Sequence, residues 1–196
     1  RVVEAQVGDG AFFLGGHSMG AHTAIAYALR NPGRLAGLAL IGPVYTGTVE
    51  QGSLDYWDGL AASLEASGVD GFVAYIDAEQ GIDPRWRDSV LRFTRERLLL
   101  QRHPEALAEA LREVPRSRPF DAMEELQTVE VPALIVASND DADPGHPYEA
   151  AAAYAEALPG ARLLSEEPGQ SPLAWQGGRL SRALAAFYAE ALSSAR

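Results

Sequence analysis

Gly16-His17-Ser18-Met19-Gly20 stands between an apolar run, Ala11-Phe12-Phe13-Leu14-Gly15, and a stretch with Ala21, Ala24, Ile25, Ala28 and Leu29 at helical spacing. The first run is short, continuous and preceded by Gly8-Asp9-Gly10. That is the pattern of a strand buried on both faces. The helical stretch is stopped by Asn31-Pro32-Gly33, and a second apolar run, Leu35 to Ile41, ends at Gly42-Pro43. Strand, helix, strand in this order predicts a βαβ unit with a right-handed crossover. A G-x-S-x-G at the strand-to-helix junction has a steric reason. The serine sits on a sharp turn with strained torsions, and neighbours without side chains let strand and helix approach. Ser18 Oγ is then expected to project above the sheet, with the backbone N–H of Met19, at the helix start, placed to stabilise an oxyanion.

Outward from this unit the pattern changes. From Val44 to about Met123 no strand-like run occurs, and amphipathic stretches predict helices near Leu54–Ala66, Val69–Ala78, Arg85–Arg102, Glu105–Val114 and, shorter, Asp121–Leu126. Ser67-Gly68 and Pro115 separate segments, and Pro84 and Pro104 sit where a first helical turn tolerates proline. The strand signal returns at Val131–Ala137, followed by a helix at Tyr148–Leu158, a short strand at Ala161–Ser165 and a last helix from Gly178 to about Leu192. The sum predicts an α/β fold: a doubly wound, mostly parallel sheet with an inserted all-helical cap. The expected division is a core segment over residues 1–43, a helical cap over 44–123 and a second core segment over 124–196. A strand as apolar as Ala11–Gly15 exposes unpaired backbone groups if it stands at a sheet edge. The chain also opens at Arg1 without a methionine. An N-terminal segment or an oligomer partner is therefore expected to cover the first strand.

Composition narrows the partners. Of 196 residues, 47% are apolar, enough for a real core. Sixteen basic residues against 27 acidic ones give a net charge of −11, which repels phosphate backbones and anionic lipid heads. Nucleic-acid and membrane partners are accordingly not expected, and a small-molecule substrate is. The absence of cysteine excludes disulfides, thiolate metal sites and cysteine nucleophiles. No apolar run reaches the ~18 residues of a membrane span, and no basic n-region followed by an apolar h-region stands at the start of this sequence. A cytoplasmic location is expected. No spacing of His, Asp or Glu points to a metal, and neither G-x-G-x-x-G nor a P-loop points to a nucleotide, so no cofactor is expected.

The stretch Phe12-Phe-Leu-Gly-Gly-His-Ser-Met-Gly-Ala-His-Thr-Ala24 resembles the nucleophile strand, elbow and following helix of the α/β-hydrolase superfamily. Val131-Pro-Ala-Leu-Ile-Val-Ala-Ser-Asn-Asp-Asp141 resembles the strand that presents its catalytic acid, and Leu158-Pro-Gly-Ala-Arg162 the approach to its last strand. The likeness runs from about Ala11 to the last helix, with Leu54 to Val114 in the place of the variable lid. The family's first strands and the Gly-rich loop that supplies a second oxyanion donor have no counterpart, so the sequence looks like the C-terminal part of such a protein. The resemblance implies Ser18 as nucleophile and favours Asp141 as acid, with Asp140 as runner-up. Position alone admits Asp140, Asp141 and Asp143, all directly beyond the carboxyl end of a strand, where chemistry gathers in open parallel sheets. Equally, such carboxylates shape a turn and cap the next helix.

The family's Gly-His-Ser-Pro loop stands here as Gly169-Gln170-Ser171-Pro172. Gln170 occupies the place of the base, and an amide has no lone pair basic enough to take the serine proton. Of four histidines, His17 lies inside the elbow with a diverging side chain, His22 follows on the helix as a packing or capping residue, and His103 precedes Pro104 as an exposed helix-end residue. His146, in the loop after the acid strand, is the one substitute base that a folded-in loop brings to Ser18. Tyr56, Trp57 and Trp86 either line a pocket or belong to a helical core, and Arg92, Arg95, Arg97 and Arg102 read as a solvated helix face. The leading expectation is a hydrolase of a small ester, thioester or amide. The rivals are a catalytically impaired member that binds a ligand or partner, and non-hydrolytic chemistry such as cofactor-free proton transfer or lyase activity.

Overall fold

A computed structural model describes residues 2–139 and 143–194. Along the chain these form α1 (Val2–Val7), β1 (Phe12–His17), α2 (Met19–Arg30), β2 (Leu35–Ile41), α3 (Gln51–Glu79), α4 (Arg87–Leu99), α5 (Pro104–Arg116), β3 (Ala133–Val136), α6 (Tyr148–Ala157), β4 (Arg162–Leu164) and α7 (Gly177–Ser194). Two 3₁₀ turns, Met123–Thr128 and Leu173–Trp175, complete the list. The stretch expected as a short helix at Asp121–Leu126 is the first of these, tightened by the Glu125 carboxylate, which accepts the backbone N–H groups of Asp121 and Ala122.

The chain forms two compact units. Of the described residues, the core unit comprises 2–47, 119–139 and 146–194. Its four strands lie in the order β1-β2-β3-β4, every pair parallel. β2 is buried along most of its length, with Leu38, Ala39 and Leu40 wholly covered. β1 stands at one edge and is only half-buried at Phe12, Phe13 and Leu14. The two faces follow from the alternation of side chains. On one, Gly15, Gly37 and Ala39 leave room for α7, whose Tyr188 ring lies 4.6 Å from that of Phe13. A Cβ on Gly37 would meet Phe13 at 2.9 Å, so glycine there makes that packing feasible. On the other, Phe12 meets Tyr27 of α2 edge-on at 5.8 Å. α2 buries Ala21, Ala24, Ile25 and Ala28, one stripe at three- and four-residue spacing.

The second unit comprises Thr48–Arg118, whose regular elements are helices, together with the described residues 143–145. α3 is continuous except at Gly68, whose φ of 62° and ψ of −149° break it where Ser67-Gly68 was expected to separate two helices. Leu60, Leu64, Phe72, Ile76, Leu98 and Leu111 form its core, and Tyr56 and Trp57 pack against it. Burial pushes the Tyr56 hydroxyl up to about 12. Outside, Arg112 and Arg116 of α5 hold Glu65 and Asp58 of α3, while Arg87 and Arg95 of α4 hold Asp77 and Asp70. Hydrogen bonds from those arginines lower the carboxyls of Asp58 and Glu65 below their ordinary range. The face expected to be solvated is so, with Arg97 lying over the exposed ring of Phe93 at 5.6 Å.

Candidate active site

At the carboxyl end of β1 the chain turns abruptly into α2 through Ser18, whose φ is 55° and ψ −116°. Among the described residues no other non-glycine has a positive φ. Such a conformation costs about 1–3 kcal/mol and persists only where the surroundings impose it. They do so here: Ser18 N–H donates to Ile41 O at the end of β2 (2.9 Å), and Ser18 O accepts from His22 N–H (3.1 Å). Gly16 permits the turn, since a Cβ there would lie 2.1 Å from the carbonyl oxygen of Gly20. Gly20 itself has open space, so of the two motif glycines only Gly16 is required by this packing.

A serine preceding a helix ordinarily caps it with its hydroxyl. Ser18 makes no such bond, which leaves Oγ available for other work. Met19 opens α2, where a backbone N–H has no acceptor within its own helix.

The histidines separate cleanly. His103 is exposed on the helical unit, 3.3 Å from Glu105. His22 meets Tyr45 edge-on at 5.2 Å, and Tyr45 in turn donates to Phe120 O at 2.9 Å. His146 lies with its ring 5.2 Å from that of His17, at the same end of the sheet as Ser18. Gly42, at a φ of 54° just past β2, makes the space, because a Cβ there would come within 2.9 Å of the His146 ring. The loop after β3 thus places the His146 ring beside that of the residue preceding Ser18.

Asp140 and Asp141 lie outside the described residues. Asp143 is buried in the same loop. Gln170 ends a tight turn, Glu167-Pro168-Gly169-Gln170, closed by its N–H to Glu167 O at 3.1 Å, with Gly169 at a φ of 79°. Proline at the second position and left-handed glycine at the third are the type II signature. The Gln170 side chain is exposed, and its Oε1 accepts from Arg179 Nη1 at 2.5 Å.

Sequence reasoning missed Glu166. It is 3% exposed, and its carboxylate gathers three donors: Ser138 Oγ at 3.3 Å, the backbone N–H of Asn139, and Leu173 N–H at 2.9 Å. Asn139 Nδ2 adds a bond to Ser165 Oγ at 2.6 Å. One buried carboxylate thus ties the loop after β3 to the loop after β4. The signal that could have found it is alternation, since Glu166 shares the parity of Leu164, which packs against the core.

Among the described residues no cluster of His, Cys, Asp or Glu could hold a metal ion, and no helix is long and apolar enough to cross a membrane. A shallow cavity of about 290 Å³ lies elsewhere, bordered by Ala28, Leu35, Thr128 and Val131, by the amino ends of β2 and β3.

Comparison with known proteins bears on this geometry. A search of curated proteins finds no match. Among solved structures, MenH from S. aureus matches at a TM-score of 0.73 and 20% identity, over 97% of this chain and 73% of that one. A thermophilic esterase from Thermogutta terrifontis, solved with malate bound, matches at 0.75 and 21%, over 97% and 69%. The enol-lactonase from Burkholderia xenovorans LB400 matches at 0.69 and 17%, over 94% and 68%. At such identities these neighbours show the fold, four parallel strands flanked by helices. The model of the alpha/beta hydrolase family matches residues 1–189, and the chain belongs to that family.

Proposed function

We propose that the protein hydrolyses a small ester, thioester or amide through Ser18. The observation that carries this reading is the strained backbone of Ser18, held at a strand's carboxyl end with its hydroxyl uncommitted to the helix it precedes. Family membership supports it, as does the likeness in fold to an esterase and an enol-lactonase. In this reading Ser18 Oγ attacks the acyl carbon, and the displaced electron pair moves onto an oxygen facing Met19 N–H. The serine proton passes through the base to the leaving group, and water then cleaves the acyl-enzyme. His146 is assigned as the base, on the support of its ring contact with His17. Asp141, or next to it Asp140, is assigned as the acid that orients the base. The helical unit, inserted between β2 and β3 in the chain, is proposed as the cap that selects the substrate. The outer edge of β1 is proposed as the place where an N-terminal segment or oligomer partner adds.

Turnover of 4-nitrophenyl acetate tests the assignment. His146→Ala is expected to lower kcat/KM by about 10²–10⁴, the range of general-base catalysis. An unchanged value refutes His146 as base.

Gln170 favours a second reading, a catalytically impaired member that binds a ligand or partner. Its carboxamide is engaged by Arg179 and cannot act as a base. If the wild type is silent and Gln170→His confers turnover, the second reading holds. Clear turnover by the wild type overturns it.

A further inference from the structure

Arg179 directs its guanidinium at two neutral amides. Nη1 donates to Gln170 Oε1 at 2.5 Å and, at 3.4 Å, to Gln176 Oε1. Among the described residues no acid stands within ion-pair distance of it. Arg162, by contrast, holds Glu190, and Arg85, Arg87, Arg112 and Arg116 each hold an aspartate or glutamate. In a chain with 27 acidic residues against 16 basic ones, a cation left on amides is a charge still to be met.

The same bond fixes the orientation of Gln170. A guanidinium offers only donors, so the amide oxygen must face it, and Nε2 turns its two N–H bonds the other way. The backbone beneath cannot easily rearrange. Pro168 and Gly169 set the turn, its closing bond is made by Gln170 itself, and Glu166 anchors the segment from inside. Gln170 is exposed, so these donors are open to a ligand. Fixed N–H donors beside an un-neutralised guanidinium suit an oxygen acceptor that carries negative charge, and a carboxylate matches that planar geometry best.

We infer that Gln170 and Arg179 form a recognition site for a carboxylate-bearing small molecule. The residue standing where the family places its base serves here as a ligand donor. The inference rests on the proposed function in taking this carboxylate as part of the molecule that reaches Ser18; the binding itself does not require Ser18.

Calorimetric titration of the full chain with succinate, and with its neutral diester dimethyl succinate, tests it. Gln170→Glu and Arg179→Met are expected to weaken succinate binding by about tenfold or more, Arg179→Lys by less, with dimethyl succinate bound weakly and equally by all. Circular dichroism confirms that each variant is folded. Absence of succinate binding by the wild type, or affinity unchanged in both variants, overturns the site. Succinate binding that persists in a protein whose Ser18 proves unreactive overturns the hydrolase reading alone.

Discussion

Two turns at the carboxyl end of the sheet, one after β1 and one after β4, solve opposite problems. The first forces a left-handed φ onto Ser18, a residue that resists it, and leaves the hydroxyl uncommitted. The second assigns its left-handed φ to Gly169, which accepts it without strain, and commits the neighbouring Gln170 side chain to Arg179. Strain is retained where a bond is proposed to be made and broken. A relaxed, cross-braced turn stands where a ligand is proposed to be held. The contrast explains how a hydrolase-like elbow can coexist with a loop that carries no base.

The largest expected effect lies at Gly16. Gly16→Ala places a Cβ 2.1 Å from a backbone carbonyl that no side-chain rotation can relieve. The elbow is expected to lose about 3 kcal/mol or more, read as a lowered urea midpoint. Gly20→Ala, with open space, is expected to be tolerated in stability; equal losses at both glycines would break the account of the turn.

Glu166 comes next. Glu166→Ala leaves the buried backbone N–H of Leu173 and the part-buried N–H of Asn139 without their acceptor, at a cost of about 2 kcal/mol in the same measurement. Glu166→Gln keeps the size but turns a donor toward one of those N–H groups, and recovers only part of the loss. A full recovery would show that the side chain fills space and does not brace the two loops.

Smallest, and opposite in sign, is Ser18→Gly. Glycine accepts the observed torsions, so the protein is expected to gain about 1 kcal/mol, whereas Ser18→Ala keeps the strain and gains nothing. Identical behaviour of the two variants would mean that the elbow stores no strain.

These residues also show how far the sequence could be read. The elbow was legible because its reason is local: strand, sharp turn and helix follow one another without interruption from Phe12 to Arg30, and Gly16 answers a contact four residues away. The parallel order of the strands followed from the alternation of apolar runs with helices, and the break at Gly68 from the Ser67-Gly68 pair. Glu166 was not legible as a brace: the parity it shares with Leu164 marks it as facing inward, but its donors come from a segment 28 residues earlier and another seven later. The contact of His146 with His17 depends on the left-handed φ of Gly42, a residue 104 positions before His146 in the chain. Gln170 stood out in the sequence as an amide within the resemblance to Gly-His-Ser-Pro, but its orientation by Arg179 required the turn and the start of α7 to be placed together.

The proposed hydrolase chemistry stands or falls with Ser18 as a reactive nucleophile. Incubation of the full chain with a fluorophosphonate, followed by mass spectrometry of its peptides, tests it most directly. One covalent adduct is expected on the peptide bearing Ser18, absent from the folded Ser18→Ala variant. A folded wild type that takes no label, or a label that survives Ser18→Ala, would contradict it.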